Sequence, residues 1–159
     1  MDPRLDGLVA ARLILDDVRR QLTGEPGDPA HSQEARSGAP LILLVEDEAD
    51  DLAMYQESLQ GDGFQVATAR SAKEALEKVL RLRPSAILLD LVLPDINGLA
   101  VAKALRDDPD TASMPIVAIS AAVPRYSVEA ARLVGCHSFL AKPAHPVDVA
   151  ACLRVALAG

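Results

Sequence analysis

The stretch LILLVEDEADD, residues 41–51, decides the fold. Its first half, LILLV (41–45), is a continuous apolar run, as expected of a central parallel strand covered on both faces. Its second half turns abruptly acidic at Glu46, Asp47 and Glu48, and a helical period then runs over 50–60 through Leu52, Tyr55 and Leu59. A strand, a polar rim and a helix thus follow one another within twenty residues.

The same unit recurs down the chain. Gly61 and Gly63 end the first helix, and FQVATA (64–69) reads as a second strand. Ser71 and Glu74 have the spacing of a capping box, opening a helix through Leu80. AILLDL (86–91) is the third strand, and Gly98 opens a helix to about Arg106. PIVAIS (115–120) is the fourth strand, followed by a helix at about 125–134 stopped by Gly135. SFLA (138–141) is the fifth strand, and Pro146 sits in the first turn of a last helix ending near Leu157. Alternation at this pace implies parallel pairing and right-handed crossovers, hence an α/β sandwich of three layers.

Two segments precede that array. Leu8, Ala11, Leu15, Val18 and Leu22 recur in steps of three and four and predict an amphipathic helix over about 3–22. TGEPGDPAHSQEARSGA (23–39) has Gly, Pro and Ser without apolar period and reads as a flexible linker. The expected division is therefore an N-terminal helix and linker at 1–39 and a folded domain at 40–159.

Composition bounds the function. A net charge of −7 repels phosphate backbones and argues against nucleic-acid binding. No apolar run approaches a membrane span, and Asp6, Arg12, Asp16 and Asp17 interrupt any signal core. The two cysteines, Cys136 and Cys152, lack metal-like spacing and read as reduced thiols of a cytoplasmic protein.

In such a sheet the ligand site lies beyond the C-terminal strand ends. Those ends carry Glu46, Asp47 and Glu48 after the first strand, Asp90 at the third, Ser120-Ala121 at the fourth and Lys142-Pro143 after the fifth. Crowded carboxylates repel, and a hard divalent cation relieves them. Mg²⁺ suits an all-oxygen site of this kind. One carboxylate can then attack phosphorus to give an acyl phosphate, while the lysine and hydroxyl hold the other phosphoryl oxygens.

Four segments carry a family resemblance: LILLVEDEADD, ILLDLVLPDINGL (87–99), PIVAISA (115–121) and FLAKP (139–143). In this order and at strand ends they resemble bacterial response-regulator receiver domains, over about residues 40–158. The resemblance implies a doubly wound, flavodoxin-like sheet of order 2-1-3-4-5. It implies Asp90 as phospho-acceptor, Asp47 as direct Mg²⁺ ligand, Glu46 as the acid reaching the metal through water, and Val92 as the donor of a backbone carbonyl. It implies Ser120 as the switch hydroxyl, Phe139 as the switch aromatic, and Lys142 as the clamp on the phosphoryl group, followed by a typically cis bond to Pro143. The implied activity is self-catalysed transfer onto Asp90, not turnover. The implied partners are a sensor histidine kinase or phosphotransfer protein upstream and an effector protein downstream.

Some positions depart from the family pattern. Ala144 and His145 follow Lys142-Pro143 where a Phe is common, Cys136-His137 replaces Ala-Asp, and Phe139 lacks the hydroxyl of the usual Tyr. Val92 and Ala122 are apolar and cannot position an attacking water, so a phosphoryl lifetime on the order of minutes or longer is expected by resemblance. His31, His137 and His145 lack the context of a phospho-donor. Glu48, Asp50 and Asp51 read as helix-start charges.

Two other classes fit poorly. A haloacid-dehalogenase-type phosphatase needs a second Asp two residues after its nucleophile, and position 92 is Val. A flavodoxin-type carrier needs a phosphate loop after the first strand, where this chain has EDEADD. A receiver segment of a hybrid kinase, or a receiver that works without phosphorylation, stays open. Output is expected by protein contact through about 125–157. For the N-terminal stripe three arrangements are open: a homodimer through residues 3–22, docking on a partner, or folding back on its own domain.

Overall fold

The computed structural model describes residues 6–23, 38–121 and 124–159. The expected linker falls almost wholly outside the described residues, as do His31 and Ala122. Strands β1 (Leu41–Val45), β2 (Gln65–Ala69), β3 (Ala86–Asp90), β4 (Ile116–Ser120) and β5 (Ser138–Ala141) form one parallel sheet in the order β2-β1-β3-β4-β5. Between them run α2 (Ala49–Gly61), α3 (Ala72–Leu82), α4 (Gly98–Asp107) and α5 (Pro124–Leu133), and α6 (Pro146–Ala158) closes the chain. The doubly wound sheet is as expected, with boundaries within a residue or two.

Every residue of β1, β3 and β4 is buried, which is why their sequences run apolar without alternation. The pleat still sorts side chains into two cores. Leu43, Val45, Ile87, Leu89, Ile116 and Ala118 face α3, α4 and α5. Ile42, Leu44, Ala86, Leu88, Val117 and Ile119 face α2 and α6, where Tyr55, Leu59, Val149 and Leu153 meet them.

The loop after β3 is pinned at both ends. Asp95 accepts from the backbone amides of Ala72 (2.8 Å) and Lys73 (3.0 Å), capping α3 from a distance. Burial would raise its carboxyl, but these amides hold it below the usual range. The capping box forms with a shift: Ser71 Oγ takes the Glu74 amide, while Glu74 reaches back to Arg70 N at 2.9 Å rather than to the cap itself. At the loop's far end a Cβ on Gly98 would overlap Leu91 Cα and come within 2.9 Å of the Asp90 carbonyl oxygen. Gly98→Ala should therefore lower unfolding free energy by about 2 kcal/mol, through forced backbone displacement. An unchanged denaturation midpoint would contradict this close approach.

The N-terminal helix, α1 (Leu8–Thr23), starts later than position 3. Gly7 holds φ +92, which no right-handed helix continues through. The stripe does not await a partner. Ala11, Leu15 and Val18 are buried in the same cluster as α3 and α4, with Leu8, Ile14 and Leu22 packed against it. The buried stripe is the fold-back arrangement: α1 forms an extra layer over α3 and α4. The reason is complementary chemistry at its flank. Arg12 pairs with Asp107 at 2.7 Å, Arg19 with Asp108 and with Asp110 (3.1 Å), and Gln21 accepts from Arg81 (2.9 Å). At the other end Gly7 lies against Ile96, so α1 spans the length of α4.

Acid should loosen this seam. Burial pushes the Asp107 carboxyl up, but Lys103 and Arg12 outweigh it and hold it below the usual range. A carboxyl depressed in the folded state stabilises above its unfolded pKa, and the gain is lost as pH falls through the folded value. Wild type should therefore outlast Asp107→Asn at about pH 6, and the gap should close between about pH 5 and 3. Denaturation midpoints of the two proteins across that range check it; a constant gap would contradict the pairing.

Candidate functional site

The C-terminal ends of β1, β3, β4 and β5 meet at one rim. Parallel register puts Val45 beside Leu89, Asp90 beside Ile119 and Ser120 beside Ala141. Residues next past these ends are therefore neighbours. Lys142 is tied in by its backbone, its amide donating to the Ser120 carbonyl at 2.8 Å. The Lys142-Pro143 bond is cis.

Lys142 is the hub. Its ammonium donates to Asp90 Oδ2 at 2.7 Å, to Glu46 Oε1, and to Asp51 Oδ2 at 3.1 Å. An ammonium has three N–H bonds, and these partners match them in number. Burial disfavours the charged lysine, but Asp90 and Glu46 prevail and hold its pKa above the ordinary lysine range. Glu46 is raised, first by burial, with Asp90 adding to the rise and Lys142 and the Glu48 amide opposing.

Each acid has its own support. Glu46 is 2% exposed and Asp90 5%. The other oxygens of these carboxylates are occupied: Glu46 Oε2 accepts from Glu48 N (3.1 Å), and Asp90 Oδ1 from Val92 N (2.8 Å). Glu48 caps α2 by accepting from Asp51 N at 2.7 Å, as a helix-start charge should. Asp47 is exposed, and its carbonyl accepts from Arg70 at 3.0 Å.

Of the residues expected at the site, Glu46, Asp90 and Lys142 are joined by direct bonds. Ser120 is wholly buried at the end of β4, beside them by register. Asp47 borders them as Glu46's chain neighbour. Val92 exposes its side chain while its amide serves Asp90. Phe139 lies on β5 opposite Ala118 and packs, partly buried, against the α3–α5 core. Asp51 is a site residue that the sequence reading missed. The available signal was its place one helical turn after Asp47, with Tyr55 a further turn on donating to the Ala144 carbonyl (3.1 Å). A cavity of about 600 Å³ opens beside Lys142, lined by Asp51, Met54, Tyr55, Ala121, Ala144 and His145 among others. His145 also caps α6, its Nδ1 accepting from Val147 N at 3.1 Å.

A lysine bridging two buried carboxylates at the switch edge of a 2-1-3-4-5 sheet defines a receiver-type site. Residues 42–154 match the family model described as "Response regulator receiver domain", and the chain belongs to that family. Phosphoryl acceptance in two-component signalling is the family's function. The chain is similar to the polar-differentiation response regulator DivK of Brucella anthropi, 30% identical over 102 residues covering 64% of this chain and 83% of the relative. Among solved structures it is similar to the chemotaxis response regulator CheY4 of Vibrio cholerae, with TM-score 0.70 and 26% identity over 74% of this chain and 98% of that one. The signal receiver domain of a signal transduction histidine kinase from Syntrophus aciditrophicus gives TM-score 0.71 and 26% identity over 76% of this chain and 92% of that one. Among the described residues no helix is long and apolar enough to cross a membrane.

Proposed function

We propose that Asp90 is the residue phosphorylated in this receiver, within a domain of residues 40–159 that carries 1–39 as an N-terminal extension. The observation that carries the reading is the Lys142 bridge, which aims a partly buried ammonium at Asp90 Oδ2. Asp90 Oδ2 attacks phosphorus, and Lys142 meets the charge that gathers on the phosphoryl oxygens. Ser120, buried beside Lys142 on the next strand, is the hydroxyl that follows the phosphoryl group, and Phe139 is the aromatic that moves with it. The transfer is catalysed by the receiver itself and needs no turnover site.

The donor set suits Mg²⁺. It is all oxygen, with Glu46, Asp47 and Asp90 as carboxylates and the Val92 carbonyl at hand. Mg²⁺ keeps several waters and takes one or two carboxylates, which a site of this composition would supply. When bound, the metal offsets charge on the transferring phosphoryl group. The donor is a sensor histidine kinase or phosphotransfer protein in the cytoplasm. The effector is a protein docking on the face of α5, β5 and α6, where Leu133, Val147 and Val155 are each more than 60% exposed. With Val92 in place of a polar side chain, the phosphoryl group persists for minutes or longer.

The fluoride–beryllium phosphoryl mimic with Mg²⁺ tests this reading. It should shift the backbone NMR signals of Val92, Ser120 and Lys142 together at saturation. Shifts absent from these residues would contradict it.

A further inference from the structure

Asp51 stands apart from the other acids on Lys142. Glu46 and Asp90 sit at the ends of strands and are almost fully buried. Asp51 comes from α2, over the edge of the rim, and its carboxylate is 38% exposed. It borders the cavity beside Lys142.

The reaction treats these partners differently, given Asp90 as the acceptor. When Asp90 Oδ2 bonds to phosphorus, the bond from phosphorus to the donor's leaving atom breaks, and the leaving group departs with that electron pair. Asp90 gives up its negative charge to an acyl phosphate, and Oδ2 stops being a carboxylate partner for Lys142. Glu46 shares its second oxygen with the Glu48 amide and crowds against Asp90, so its bond to Lys142 is also exposed to change. Asp51 takes no part in bond making. Its backbone is fixed by the Glu48 cap, and one turn on Tyr55 ties the same side of α2 to the Ala144 carbonyl.

We propose that Asp51 is a positioning residue for phosphoryl transfer. It holds one N–H of Lys142 throughout, so that the other two stay aimed at Asp90 and the incoming phosphoryl oxygens. The proposal rests on the assignment of Asp90. It concerns the hydrogen bond and not the charge, because a third negative charge also repels an anionic donor.

Asp51→Asn and Asp51→Ala separate the two effects. Both are neutral, and Asn alone keeps an oxygen that can accept from Lys142. Labelling rates from acetyl phosphate with Mg²⁺ are compared for the two, in the wild-type background and in Lys142→Ala. The alanine variant should label about fivefold more slowly than the asparagine variant, the size of one ordinary hydrogen bond. The difference should vanish when Lys142 is absent. Affinities for the fluoride–beryllium mimic, measured over the same four proteins, give the same cycle if labelling without Lys142 is too slow to follow. Equal behaviour of Asn and Ala with Lys142 present would overturn the proposal, as would a difference that survives Lys142→Ala, which marks a structural effect on α2. Wild type that labels elsewhere than Asp90 would instead overturn the acceptor assignment and this inference with it.

Discussion

Leu15→Asp should remove about 3–5 kcal/mol of unfolding free energy, a large part of what a domain of this size possesses. Leu15 is 1% exposed in the middle of the α1 stripe, between Ala11 and Val18, and shares a cluster with both α3 and α4. A carboxylate there must either be desolvated without a partner or lift the helix away. Lifting α1 gives up three buried side chains and wets the surface beneath them, so the two routes cost alike. Leu13→Asp is the control, since Leu13 lies two residues away on the same helix and is 61% exposed. It should change stability by less than about 0.5 kcal/mol. Urea denaturation separates the routes: a lowered slope with the lower midpoint marks a native state whose α1 is already undocked. Equal, small effects of the two substitutions would contradict the docked helix.

Lys142→Ala should slow labelling from a small phosphoryl donor by about 100-fold or more, the usual cost of deleting a preorganised charge partner of the transition state. The same change leaves Glu46 and Asp90 side by side without their shared cation. Glu46 is already pushed up by burial and by Asp90, and the Lys142 ammonium is the chief group opposing that rise. A carboxyl raised in the folded state is tolerated at low pH and costs stability as pH rises through its folded value. The stability deficit of Lys142→Ala against wild type should thus be smaller near pH 5 than near pH 8. Denaturation midpoints at the two pH values check the sign. A deficit that grows on acidification would contradict the bridge.

Much of this was legible in the sequence, for reasons that differ by element. β1, β3 and β4 announce themselves because full burial on two faces demands unbroken apolar runs. Strand ends in a parallel sheet share a rim, so Glu46, Asp90, Ser120 and Lys142 could be expected together once the family resemblance implied which strands lie side by side. What was not legible depends on side-chain reach across the fold. Asp51 looks like any first-turn acid until Lys142 is seen to reach it. Asp95 looks like a loop residue, yet it caps a helix that begins more than twenty positions earlier. The stripe of α1 told that a face would be covered, not by what. Its arginines matched Asp107, Asp108 and Asp110 only once α4 had placed those acids along its flank. Its late start follows from the left-handed Gly7.

The central claim, that Asp90 carries the phosphoryl group, is tested most directly by labelling wild type and Asp90→Asn with acetyl phosphate and Mg²⁺, read by intact mass and peptide mapping. Asn preserves shape and the amide contact from Val92 while removing the nucleophilic oxygen. Wild type should gain one phosphoryl group, mapped to the peptide containing Asp90, and the variant none. Labelling of the variant at the wild-type rate would contradict the assignment.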